Sequence, residues 1–120
     1  MNPVRHFFVA TCLLAAGLWA GEHNTLSKTE KAAGWQLLFD GKNINTHWRN
    51  IGQKEVTGTG WVIKEGVLIK EEGKAAGNIL TRRTWTDYEF TWDWKVGVKG
   101  NNGVKYMVLE KRGAIGHEYQ

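Results

Sequence analysis

Tyr88-Glu89-Phe90-Thr91-Trp92-Asp93-Trp94-Lys95-Val96 is the stretch whose reading decides the fold. Tyr88, Phe90, Trp92, Trp94 and Val96 fall on every second residue, with Glu89, Thr91, Asp93 and Lys95 between them. A period of two is the pattern of a strand with one dry face and one wet or functional face. A helix would scatter the same aromatics around its circumference. At about 3.3 Å per residue this strand is roughly 30 Å long. Its large rings need a second apolar layer, and the rest of the chain has to supply it. On this reading Trp92 and Trp94 fill a core.

Further along, Gly100-Asn101-Asn102-Gly103 centres a turn, because Gly and Asn tolerate positive φ. Val104 to Leu109 reads as a strand, Lys111 to Gly113 as another turn, and Gly116-His117-Glu118-Tyr119-Gln120 as a last strand. Going back from the central stretch, Asn78 to Thr81 is a short strand. Trp61 to Lys64 and Val67 to Lys70 flank Glu65-Gly66, which makes a hairpin. Pairing Lys64 with Val67 sets Ile63 opposite Leu68 and Val62 opposite Ile69. Aliphatic side chains then occupy both faces, and the expectation is cover on both sides. Lys42 to Asn50 and Gly52 to Gly60 read as loops, with Trp48 as an anchor. Trp35 to Phe39 reads as a first strand ended by Asp40-Gly41, the strongest local turn signal.

Short strands with glycine turns and no convincing helix point to an all-β fold. The expected form is an antiparallel β-sandwich, a jelly roll or similar. The chain has 120 residues, enough for one domain, with 42% apolar residues, seven Trp, 15 Gly and one Pro. Residues 1–21 read as a signal peptide: Arg5 and His6, then an uncharged apolar run from Phe7 to Trp19, then small residues. That run is too short to span a bilayer comfortably. Residues 22–34 are a polar linker with weak helical character from Ser27 to Ala33. The single cysteine, Cys12, lies in the leader, so the mature chain holds together without a disulfide. Loss of the leader removes Arg5 and no acid, lowering the net charge by one from +4. The bases are scattered among acids, a solvated surface rather than a nucleic-acid track. The expected location is secreted or periplasmic, off the membrane once the leader is gone.

Six pieces in order resemble one family. They are Leu37-Leu38-Phe39-Asp40-Gly41-Lys42 with Trp48, Trp61 to Leu68, Leu80-Thr81, Tyr88-Glu89-Phe90, Gly100 to Tyr106, and Gly116 to Gln120. Their order and spacing are similar to the 3-keto-disaccharide hydrolase domain, a concanavalin/laminin-G-like β-sandwich common in exported bacterial proteins. The resemblance covers residues 35–120 and is to the N-terminal part of such a domain. The family reads Asn-Ser-Gly where Asn102 stands here for the serine. It also continues past its Glu-Tyr-Gln strand with an Ile-Leu-Asp-Asp run that this sequence lacks. The expectation is therefore a sandwich incomplete at its C-terminus.

The resemblance implies a carbohydrate substrate oxidised at C3. A C3 ketone acidifies the C2 proton, whose loss gives an enolate that can expel the C1 substituent. Water then adds, so hydrolysis proceeds without the paired carboxylates of ordinary glycosidases. The site needs a base near C2 and donors for the enolate oxygen. Glu118 is the first candidate base. On a strand it shares a face with Gln120, which can hold a sugar hydroxyl, while His117 and Tyr119 point the other way. Lys105 can stabilise the enolate, His117 is a possible acid or base, and Asn101, Asn102 and Trp61 can contact sugar. Each has a plainer reading. Glu118 can be a solvent-facing acid paired with a lysine, Asn101 and Asn102 turn residues, Lys105 a wet-face base, His117 a packed or surface side chain. Trp61 can fill a core.

No cofactor is called for. There is no zinc spacing, no phosphate loop and no serine-nucleophile motif; a calcium site of Asp and backbone carbonyls stays open. Two alternatives stand beside the enzyme. One is a non-catalytic carbohydrate-binding sandwich. The other is an inactive truncated fragment with an unpaired sheet edge.

Overall fold

The structure is a computed structural model that describes residues 23–120, so the leader, Cys12 included, lies outside the described residues. The chain is all-β and antiparallel. Its strands are β1 (Trp48–Asn50), β2 (Trp61–Lys64), β3 (Val67–Lys70), β4 (Ile79–Thr81), β5 (Val104–Leu109) and β6 (Ile115–Tyr119). They pair as β1 with β4, β2 with β3, and β5 with β6. A five-residue helix, α1 (Lys28–Ala32), and a 3-10 turn at Glu110–Arg112 complete the elements. Helix α1 starts where the sequence supplies a capping box. The Ser27 hydroxyl accepts from the Glu30 N–H, and the Ser27 N–H donates to the Glu30 carboxylate. Those two bonds hold the Glu30 carboxyl below its usual range.

The β2–β3 hairpin has the expected register: Lys64 faces Val67, Ile63 faces Leu68, and Val62 faces Ile69. Its turn residues Glu65 and Gly66 both take positive φ (51° and 76°), the condition for a two-residue turn matched to strand twist. The side chain of Asn24 reaches the same turn, donating to the Gly66 carbonyl at 2.9 Å. Cover on both faces is not observed: Val67 is exposed, and Val62, Ile63, Leu68 and Ile69 are only half-buried. Among the described residues no other sheet lies over this hairpin to close it.

Three further expectations change. Trp35 to Phe39 forms no ladder. The segment is held by a side chain instead, the Trp48 indole donating to the Leu38 carbonyl at 2.7 Å. The turn after it is as read: Asp40 Oδ1 accepts from the N–H groups of Lys42 and Asn43 at 2.8 Å each. Those bonds, Asn43 first, lower the Asp40 pKa. Trp48 to Asn50, read as loop, is strand β1, because Ile79 to Thr81 lies beside it in register. Local propensity in three residues carries no signal for a partner thirty residues away.

The largest correction concerns the central stretch. Tyr88 to Val96 belongs to no sheet among the described residues. Trp92 and Trp94 are not core residues; they are 40% and 39% exposed. One pair of the period-two pattern keeps its placement: Phe90 and Trp92 stack at 5.1 Å between ring centres, as neighbours two apart on one side of an extended chain do. What is missing is a neighbour. A ladder needs a second strand at about 4.8 Å, and no described strand runs alongside. Tyr119 of β6, meeting Trp92 edge-on at 6.1 Å, supplies the cross-chain ring contact.

The buried apolar residues among those described are only Ala76 and Ala114. Cohesion is therefore polar. Asn50, 7% exposed, is the hub. Its amide donates to the carbonyls of Ala76 and Asn78 at 3.1 Å each, and its oxygen accepts from the Thr57 N–H at 2.5 Å and the Thr57 hydroxyl at 3.3 Å. Beside it, Arg49 forms a two-pronged bond to Glu110 at 2.6 and 2.7 Å, and the Gly52 N–H donates to the same carboxylate at 3.0 Å. The Arg49 guanidinium first, then the Gly52 N–H, hold the Glu110 pKa down from 4.5 to about 2.

Two outcomes follow from these contacts. Asn50→Asp keeps the shape but turns the donor that serves two carbonyls into an acceptor. It is expected to lose about 2 kcal/mol in urea unfolding, against a small change for Asn45→Asp at a half-buried turn. For Glu110 the folded pKa is depressed, so its contribution is complete above pH 4.5 and disappears as pH falls toward about 2. Arg49→Lys, which cannot fork, is expected to move the Glu110 titration upward when followed by carboxyl NMR.

Candidate functional site

Strands β5 and β6 bring four of the candidates together. Their antiparallel register sets Val104 opposite Tyr119, Lys105 opposite Glu118 and Tyr106 opposite His117. Directly opposed residues share a face, so Lys105 and Glu118 project to one side, and Val104, Tyr106, His117 and Tyr119 to the other. The Lys105 ammonium lies 3.7 Å from the Glu118 carboxylate, both side chains about one-third exposed. Gln120, two residues beyond Glu118, donates through its amide to the Asn101 side-chain oxygen. The polar face thus carries a carboxylate, an ammonium and a linked pair of amides.

Gly103 makes room for that carboxylate. A Cβ built there would collide with the Glu118 side chain, lying 2.8 Å from its Cγ. Asn102 does not join the group: its side-chain oxygen accepts from the Gly103 N–H at 2.9 Å, closing the turn. His117 lies on the opposite face, stacked on Tyr106 with ring centres 5.5 Å apart. Trp61 stands on β2, its indole donating to the Gly77 carbonyl at 3.0 Å, and no described contact links it to the β5–β6 face. After Tyr106 the register shifts, with Met107 at φ 53° and 77% exposed. This bulge interrupts regular pairing between Tyr106 and Leu109.

The opposite face is aromatic. Thr91, Trp92, Trp94 and Tyr119 line an open hollow of about 390 Å³. A second hollow, about 300 Å³, lies beside Asn50 and is lined by Thr57, Gly58 and residues 75–78. Among the described residues no three His, Cys, Asp or Glu side chains gather into a metal-binding group. No described helix is long and apolar enough to cross a membrane.

Arg49, Asn50 and Glu110 escaped the sequence reading, as did the space-making role of Gly103. Arg49 and Glu110 are 61 residues apart, and neither stands in a local pattern that announces the other. The glycine signal at position 103 was visible, but as a turn signal only.

The strand pairing defines an all-β, antiparallel domain that carries a carboxylate, an ammonium and an amide pair on one face. The chain belongs to the 3-keto-alpha-glucoside-1,2-lyase-like domain family, which matches residues 34–120. It is also similar to a 3-keto-disaccharide hydrolase of Bacteroides thetaiotaomicron, with 31% identity over 101 residues. That match covers 78% of this chain and 34% of the relative, so the chain spans about a third of the length of the curated relative it matches. No solved structure matches the chain at a significant level.

Gly103→Ala is expected to swing the Glu118 carboxylate away from Lys105 while costing about 1 kcal/mol, because the whole Glu118 side chain from Cγ outward must turn aside and, being exposed, has room to do so. Loss of the Lys105–Glu118 side-chain cross-peaks in NMR, with β5–β6 backbone cross-peaks retained, is the measurement.

Proposed function

We propose that this chain is part of an exported enzyme that cleaves the glycosidic bond of 3-keto-glycosides, by elimination followed by hydration. The observation that carries the reading is the juxtaposition of Glu118 and Lys105 at 3.7 Å, flanked by the Gln120–Asn101 amide pair. Membership of the family supplies the substrate class. The leader-like pattern of residues 1–21 supports export and a secreted or periplasmic location.

The chemistry assigns one task to each group. The Glu118 carboxylate takes the proton from C2. The C2–H electrons form the C1–C2 double bond, and the C1–O bond breaks toward the leaving oxygen, which takes a proton from solvent at this open face. The Lys105 ammonium faces the C3 oxygen, where negative charge builds during proton loss. Gln120 and Asn101 hold ring hydroxyls. Water then adds across the double bond, hydroxyl to C1 and hydrogen to C2, giving the 3-keto sugar. His117, on the far face, takes no part in this sequence.

A second reading, sugar binding without turnover, is favoured by one observation, the open hollow between Trp92, Trp94 and Tyr119. Exposed aromatic faces suit the apolar faces of pyranose rings. The fragment reading bears on activity alone: the relative's remaining length can hold groups that the reaction needs.

An assay on a 3-keto-disaccharide with product detection separates these readings. The enzyme reading expects product, and expects Glu118→Gln to lower turnover by about 10²-fold or more with an unchanged circular dichroism spectrum. Unaltered turnover in that variant removes Glu118 from the mechanism. Sugar retention without product, abolished by Trp94→Ala, supports the binding module instead.

A further inference from the structure

Asn102-Gly103 is the one Asn-Gly pair in the sequence, and the fold turns the Asn102 side chain back onto the peptide that follows it. Asn102 Oδ1 accepts from the Gly103 N–H at 2.9 Å. The Gly103 nitrogen therefore lies beside the side-chain carbonyl of the residue before it, the arrangement from which a small ring closes. A contact already made turns the encounter into a unimolecular step. Gly103 brings no Cβ to hinder the approach. It stands one residue ahead of β5, and among the described backbone bonds no carbonyl accepts from it.

The other candidates are held away from such closure. The Asn101 oxygen accepts from the Gln120 amide, and the residue after Asn101 is Asn rather than Gly. Asn43 Oδ1 accepts from the Asn45 N–H and Asn45 Oδ1 from the Val56 N–H, so each is turned to a nitrogen other than the next one. Asn50 is buried with its amide engaged. Asp40-Gly41 is the corresponding acid pair, yet Asp40 Oδ1 accepts from Lys42 and Asn43. Those bonds, Asn43 first, favour its ionised form, and a carboxylate anion resists attack by a nitrogen nucleophile.

We infer that Asn102 is a self-modification site of the folded chain, closing on Gly103 as a cyclic imide and reopening as aspartate or isoaspartate. The Gly103 nitrogen gives its proton to hydroxide, and its electron pair forms a bond to the Asn102 Cγ. The Cγ–Nδ2 bond breaks, and that nitrogen leaves as ammonia with a proton from water. Water then opens the imide. Cleavage between the Gly103 nitrogen and Cγ leaves aspartate in a normal backbone. Cleavage between the same nitrogen and the Asn102 backbone carbonyl carbon leaves isoaspartate, with the main chain rerouted through Cγ. In sum one water is consumed and one ammonia released. Both products carry a carboxylate where the chain had a neutral amide. Isoaspartate also lengthens the backbone by one carbon just ahead of Gly103, where a Cβ would lie 2.8 Å from the Glu118 Cγ. No substrate takes part, so the site is independent of the sugar chemistry.

The test is a time course of the full chain in mildly alkaline buffer, with a parallel sample in urea. Cleavage after Lys99 and Lys105 releases residues 100–105, which hold Asn101 and Asn102 and no other asparagine. Fragment masses place the exchange of NH2 for OH at one or the other, and a zero-time sample removes what digestion itself adds. Modification of Asn102 is expected to outpace that of every other asparagine, and isomerisation at Asp40, by about tenfold. The folded chain, its strands verified by circular dichroism, is expected to modify Asn102 at least as fast as the urea sample. Asn102→Gln, whose ring would be one atom larger, and Asn102→Ser, which keeps a turn residue, are expected to lose the modification in this peptide. A folded-state rate about tenfold below the urea rate overturns the inference, because the fold then shields the pair. Modification that persists at the wild-type rate in Asn102→Ser, or that arises first at another asparagine, overturns it as well.

Discussion

A buried amide cannot be left with unmet hydrogen bonds, and Asn50 meets its own through two separate segments. Its nitrogen serves Ala76 and Asn78; its oxygen serves Thr57. These bonds draw the loop after β1 and the approach to β4 onto the end of β1, and the β1–β4 pair follows from that. The packing tolerates nothing larger. A Cβ at Gly60 would lie 2.7 Å from the Ala76 Cα and Cβ, and one at Gly77 would lie 3.1 Å from the Asn50 amide nitrogen. With Ala76 and Ala114 as the buried apolar residues among those described, this network stands where a larger domain would have an apolar core.

Arg49 extends the same strand end toward the C-terminal hairpin. Its fork on Glu110, reinforced by the Gly52 N–H, fastens the turn that separates β5 from β6. The polar face of that hairpin is therefore tied to the Asn50 hub through one guanidinium. An ion pair this exposed gives direction more than strength, and its geometry, forked and shared with a backbone donor, makes that direction specific.

Strand β6 separates two chemistries by alternation alone. Glu118 and Gln120 face the polar side with Lys105 and Asn101; His117 and Tyr119 face the aromatic side with Tyr106 and Trp92. One two-residue periodicity thus yields an acid-amide surface and an aromatic surface on the same short hairpin.

Much of this was legible in the residues. The Glu65-Gly66 hairpin and its register, the Asp40 turn, the weak helix between Ser27 and Ala33, β5, β6 and the common face of Glu118 and Gln120 all follow from patterns a few residues long, where alternation and turn chemistry act locally. The all-β class and the family likeness rest on the same signals summed in order. Distance was beyond such patterns: that Trp48 to Asn50 is a strand, that Arg49 meets Glu110, that Lys105 stands opposite Glu118. Alternation in Tyr88 to Val96 prescribed an extended, two-faced segment, and the stacked Phe90 and Trp92 fit it; whether such a segment is a core strand depends on having a neighbour, which no stretch can specify from its own residues. Side-chain order is a property of the stretch, whereas burial and pairing are properties of what lies beside it.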